Sequence, residues 1–254
     1  MKLGTGITSV HFKNLINQRT QHKIILPAIL LVIACSAASL PVRADTLVVS
    51  GTVGISNTGI DFLPSGTGVG SFTVAAAGFQ TGIFVPLALT DGTIKDLGAA
   101  VPVGVPTTLS SFLVFASNPN LRFDLTLLAA GGYPSTNCGT VPAVVGQTCT
   151  PSGSALNLVN NPGGTSTLTF AVAGNVVNTL TNEVTPFVGT FTSQFTGPYQ
   201  GATATIGAGG TVTNTFSATF ATTPSAVPEP ATMLLLGTGL CGVRAAIRKR
   251  KKRS

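Results

Sequence analysis

Phe187-Val188-Gly189-Thr190-Phe191-Thr192-Ser193-Gln194-Phe195 alternates residue by residue, with Phe187, Gly189, Phe191, Ser193 and Phe195 at one parity and Val188, Thr190, Thr192 and Gln194 at the other. Successive side chains of a strand project to opposite faces, so this spacing gives one phenylalanine-rich face and one hydroxyl-rich face. The stretch 211–220 repeats the pattern, with Val212, Phe216, Ala218 and Phe220 inward and Thr211, Thr213, Thr215, Ser217 and Thr219 outward. Residues 122–127 and 166–172 alternate likewise, and residues 46–53 and 69–74 read as earlier strands. Asn160-Asn161-Pro162-Gly163-Gly164, Ser117-Asn118-Pro119-Asn120 and Ala208-Gly209-Gly210 punctuate these runs as turns.

No stretch between residues 45 and 223 shows the period of an amphipathic helix, and 30 glycines and 16 prolines disfavour helices while marking tight connections. The expected fold is all-β, a single β-sandwich ectodomain over residues 45–220, with jelly-roll topology as one form it can take. A solenoid is the rival architecture, but no fixed-period repeat supports it. Phenylalanines 72, 112, 115, 123, 170, 191, 195, 216 and 220 are the expected core. Residues 221–226, Ala-Thr-Thr-Pro-Ser-Ala, read as a polar spacer after it.

The N-terminal segment has the layout of an export signal. Lys2, Lys13, Arg19 and Lys23 make a basic region, residues 24–40 an apolar helical core, and Val42-Arg43-Ala44 a small-residue cleavage site. Residues 1–44 are thus the expected signal peptide, cleaved between Ala44 and Asp45 by signal peptidase of the export machinery. Val32-Ile33-Ala34-Cys35 resembles a lipobox and offers a competing start at a lipidated Cys35.

At the other end, Val227-Pro228-Glu229-Pro230 precedes an uncharged run, residues 231–243, and then a basic cluster of Arg244, Arg248, Lys249, Arg250, Lys251, Lys252 and Arg253. The two prolines fix φ and remove backbone donors, which keeps Glu229 in an extended, readable segment. The apolar run extends to Ile247 if Arg244 snorkels, giving a hydrophobic helix held by a basic anchor on the cytoplasmic side. Motif, apolar segment and basic tail, in this order over residues 227–254, resemble the PEP-CTERM sorting signal of bacterial exported proteins. The resemblance implies recognition of Pro228, Glu229 and Pro230 by an exosortase. It also implies an inner-membrane intermediate, delivery to the cell surface or beyond, and a link to exopolysaccharide and biofilm matrix.

The net charge of +7 belongs to the two ends. From Asp45 to Val227 the acids Asp45, Asp61, Asp91, Asp96, Asp124 and Glu183 face only Lys95 and Arg122, a net of −4, so no nucleic-acid footprint exists there. Cys138 and Cys149 are the only cysteines of the body and bracket a turn-rich loop, which predicts a disulfide contributing about 2–3 kcal/mol. With no histidine or further cysteine in the body, neither a Cys/His metal site nor a Ser-His or Cys-His nucleophile can be assembled.

A carboxylate pair, Asp91 with Asp96 above all, is the one hydrolase option, and Asp61, Asp91 and Asp96 the one calcium option; Asp91-Gly92 reads instead as a turn. The expected protein is therefore non-catalytic and cofactor-free, a surface or matrix component. A carbohydrate-binding or adhesive module is the alternative, with Tyr133 and Tyr199, both beside proline in expected loops, as the stacking candidates.

Overall fold

The computed structural model describes residues 44–64, 66–139 and 141–223. The expected signal-peptide helix, the sorting motif Pro228-Glu229-Pro230, the C-terminal hydrophobic helix and the basic anchor lie outside the described residues. Among those described, no helix is long and apolar enough to cross a membrane.

Among the described residues twelve strands form: β1 (Thr46–Ser56), β2 (Gly59–Phe62), β3 (Val69–Val74), β4 (Asp91–Lys95), β5 (Leu97–Gly98), β6 (Leu109–Phe115), β7 (Leu121–Leu128), β8 (Thr148–Cys149), β9 (Asn157–Asn161), β10 (Thr165–Asn178), β11 (Glu183–Thr196) and β12 (Val212–Thr222). Eight of them run β11-β12-β1-β3-β4-β6-β7-β10, every neighbour antiparallel, and β10 pairs back onto β11. The ring is closed. This corrects the expected sandwich: the protein is all-β, as read, but it is a closed antiparallel barrel with extra strands rather than two packed sheets.

The physical reason lies in β10 and β11, which pair through fourteen positions from Thr165↔Thr196 to Asn178↔Glu183. The far edge of β10 is then divided, with residues 165–169 on β9 and residues 172–178 on β7, the register shifting at Ala173/Gly174. A bulge there bends the strand, which lets the sheet curl and close. Similarly, β1 carries β12 along one edge and divides the other between β3 and β2.

An eight-stranded barrel has an interior just wide enough for side chains to fill. Here phenylalanine fills it. All nine expected positions are buried, joined by Phe62, Phe84 and Phe187. Phe191 is the hub, stacked on Phe170 at 4.5 Å between centroids and meeting Phe62, Phe112, Phe216 and Phe220 at 5.6, 6.4, 5.5 and 5.5 Å. Gly189 leaves room for this packing, since a Cβ there would lie 2.5 Å from the Phe220 ring.

A helix that the sequence pattern did not reveal, α1 (Tyr199–Gly207), joins β11 to β12. Its apolar face is carried by Tyr199 and Ile206 alone, too little to mark a period. Tyr199, expected in a loop, is instead fully buried: its N–H donates to Asn160 Oδ1 at 2.9 Å and its hydroxyl to the Asn137 carbonyl at 3.1 Å. Burial raises its phenol above the ordinary value.

Because adjacent strands alternate in direction, the connections sort to two ends. At one end lie Asp45, the β3–β4 loop (residues 75–90), the β6–β7 turn, the β10–β11 hairpin and the departure of the chain at Thr223. At the other lie α1, β2, β5, β8, β9 and the loops joining them. Strand β12 runs to Thr222, and the Thr223 N–H donates to the Pro186 carbonyl at 2.8 Å, so the barrel extends past residue 220 into the stretch read as spacer.

Candidate functional site

Where the chain enters and leaves the barrel is one place. The Asp45 N–H donates to Thr222 Oγ1 at 2.9 Å, and the Thr222 N–H donates to the Asp45 carbonyl at 2.9 Å. Thr46 then opposes Ala221 in the β1–β12 ladder. The Ala44–Asp45 bond expected to be cleaved therefore sits beside the exit toward the C-terminal signal.

On the outer wall, the strand registers bring together residues that the sequence scatters. Thr169 opposes Thr192, Thr192 opposes Ser217, Ser217 opposes Ser50, Ser50 opposes Thr73, and Thr73 opposes Asp91. Five hydroxyls and a carboxylate thus form one lateral row across six strands. At the usual strand spacing it is about 24 Å long. Ser217, Ser50, Thr73 and Asp91 are exposed, and the Thr73 hydroxyl donates to Asp91 Oδ1 at 2.8 Å. A shallow groove of about 870 Å³ lies over this part of the wall, lined by Ser50, Thr52, Ser71, Thr73 and Asp91 among others. Sequence reasoning found the hydroxyl-rich face but could not align it, because the alignment depends on pairings of distant strands.

Asp91 and Asp96, the acids closest in sequence, are not brought together. Asp91 opens β4 and is engaged by Thr73, whereas Asp96 follows the far end of that strand and accepts the Phe62 N–H at 2.8 Å. Asp124 accepts the Ser111 N–H at 2.6 Å and pairs with Arg122 at 3.2 Å. The acid brought beside Asp96 is Asp61. Its Oδ1 is buried without a hydrogen-bond partner, and its carboxyl is pushed above the ordinary value, first by burial, then by the charge of Asp96 and a hydrogen bond to it. Neither lines the groove over the outer wall. Asp61, Asp91 and Asp96 are consequently not one oxygen cluster.

A raised carboxyl contributes stability below its unfolded pKa and loses that contribution as pH rises through the folded one. Asp61→Asn is accordingly expected to raise stability at pH 7 by less than about 1 kcal/mol, since solvent screens a half-buried carboxyl, and to leave stability unchanged at acid pH. Unfolding curves at both pH values check this; a gain at acid pH equal to that at neutral pH would contradict it.

Away from the chain ends, a second cavity of about 580 Å³ opens among Ile55, Leu97, Val103, Leu156, Leu168 and Ile206, with no acid or base in its lining. Cys138, also in that lining, forms the expected disulfide with Cys149, Cα to Cα 5.0 Å, and Cys149 is fully buried in β8. Of the two tyrosines offered for stacking on sugars, only Tyr133 is exposed.

No curated protein and no solved structure matches the chain. Residues 226–251 match the family model described as the PEP-CTERM protein-sorting motif, a span that takes in Pro228, Glu229 and Pro230 and the basic residues from Arg244 to Lys251. The chain thus carries a PEP-CTERM protein-sorting motif at its C-terminus, the mark of an exported protein that exosortase processes on its way to the cell surface.

Proposed function

We propose that the barrel is a non-catalytic surface or matrix component whose outer wall lies along exopolysaccharide. The observation that supports this reading is the row Thr169, Thr192, Ser217, Ser50, Thr73 and Asp91. A hydroxyl both donates and accepts, as sugar hydroxyls do, so a polysaccharide laid across the strands meets a matching partner about every 4.8 Å. The body carries a net of only −4, which leaves the wall hydrated and without strong repulsion from a neutral polymer. A catalytic role would need an acid and a base facing one cavity; Asp91, Asp96 and Asp124 are engaged by Thr73, the Phe62 N–H and Arg122, and the Asp61–Asp96 pair lines neither cavity.

Co-sedimentation of the surface-recovered protein with exopolysaccharide purified from its own host tests the reading. Each hydrogen bond to sugar contributes about 0.5–1.5 kcal/mol, so Thr73→Val with Ser217→Ala is expected to weaken retention roughly tenfold. Parent protein that remains wholly in the supernatant would sink the proposal.

A further inference from the structure

We infer that the barrel end holding both chain ends is a lipid-facing surface, formed by residues 75–90 and the β10–β11 hairpin, that rests on a phospholipid bilayer while the chain is tethered. The inference rests on the reading that the C-terminal signal holds the protein at a membrane during export.

Residues 75–90 carry no charge. Phe79, Ile83, Val85 and Leu89 are exposed, Phe79 by 64 % and Leu89 by 74 %. The segment nevertheless has a built conformation. Phe84 and Leu87 are buried as anchors, and the Gln80 side chain accepts the Val48 N–H at 2.9 Å while donating to the Val48 and Ala75 carbonyls at 3.2 Å. Thr81 exchanges bonds with Thr46, its Oγ1 accepting at 2.7 Å and its N–H donating at 3.0 Å. The Ile83 N–H donates to Asp45 Oδ2 at 3.3 Å. Gly82, at φ +57, lies so close to Asp45 that a Cβ there would strike the carboxylate. Leu89 is held at φ +59, a conformation a bulky side chain rarely adopts. The loop is thus clamped to β1 with two apolar side chains turned in and four turned out.

Apolar exposure continues on the other flank of the chain ends. Leu180 of the β10–β11 hairpin and Val184 and Val188 of β11 are exposed, and β11 is the strand beside β12. Exposed apolar side chains grouped at one place mark an interaction surface. The covalent chain says with what. Seven residues, 224–230, separate Thr223 from the uncharged run at Ala231, and seven residues span at most about 25 Å. Any bilayer holding that run therefore lies within reach of this end. Interfacial segments of this kind embed their apolar side about 5–10 Å into the headgroup boundary.

The chain contains no tryptophan, so one introduced tryptophan reports its own position. Full-length Phe79→Trp, Val184→Trp and Tyr133→Trp would be reconstituted into phosphatidylcholine–phosphatidylglycerol vesicles, floated, and read with lipids brominated near the headgroup. At an embedding depth of that order, emission from positions 79 and 184 is expected to fall by roughly half, with position 133, in the loops of the opposite end, nearly unaffected. Vesicles that float with the protein but leave position 79 unquenched would overturn the surface while leaving the tether intact. A blue shift at position 79 without quenching would assign it to a second copy of the chain, and equal quenching at 133 would refute the orientation. Protein that fails to float would remove the tethering reading, and this inference with it.

Discussion

Phe191→Ala is expected to destabilise the barrel by about 3–5 kcal/mol, the range for deleting a buried aromatic ring whose neighbours cannot collapse into the space. Phe191 meets five other phenylalanine rings, four of them on strands that pair around the closed circuit and the fifth, Phe62, on β2, which is paired to β1. A sheet that closes on itself cannot shrink by moving one strand inward, so the cavity persists. Ordinary domains have total stabilities of about 5–15 kcal/mol, and the loss is a large share of that. Urea unfolding of the parent and variant, with the slope checked for constancy, measures it. A cost below about 1 kcal/mol would mean that the interior repacks freely.

Replacing Glu229 by Gln with Pro228 and Pro230 by Ala is expected to leave the barrel unaltered and to abolish tail processing. The three positions fall in the matched motif, and the last strand of the barrel ends before them, at Thr222. Proline restricts φ and lacks a backbone donor, so the triple substitution removes both a charge and a backbone restraint from the motif that a membrane-embedded enzyme is expected to read. Intact mass of protein recovered from host cells decides it. The parent is expected to begin at Asp45 and end near Pro228 to Pro230, and the variant to retain Arg248 to Ser254. A variant trimmed like the parent would show that recognition lies elsewhere in residues 226–251.

The strands were legible because alternation is a local property: Phe187, Phe191, Phe195, Phe216 and Phe220 face inward as their spacing requires. Closure was not legible. A sandwich and a barrel present the same inward and outward parities, and only the β10–β11 pairing separates them. Helix α1 escaped notice because one buried tyrosine carries most of its apolar face, and the same residue was read as a loop aromatic. The Cys138–Cys149 bond followed from elimination and loop composition. The hydroxyl row and the Asp61–Asp96 contact could not, since each joins residues related only through strand pairing. The sorting signal was readable without any fold, because Pro-Glu-Pro, an uncharged run and a basic cluster act through composition and order.

The position of β12 between β1 and β11 carries a consequence for timing. Thr46 and Ala221 are joined across nearly the whole folded length, so the ring cannot be completed by any shorter nascent chain. Contacts of such sequence separation form late, after the loop they close has been delivered. A chain threaded across a membrane from its N-terminus would hold an open, incomplete sheet until residue 222 arrives. At that moment the C-terminal signal is still to follow. The earliest point at which the barrel can close therefore falls just before the sorting motif is delivered.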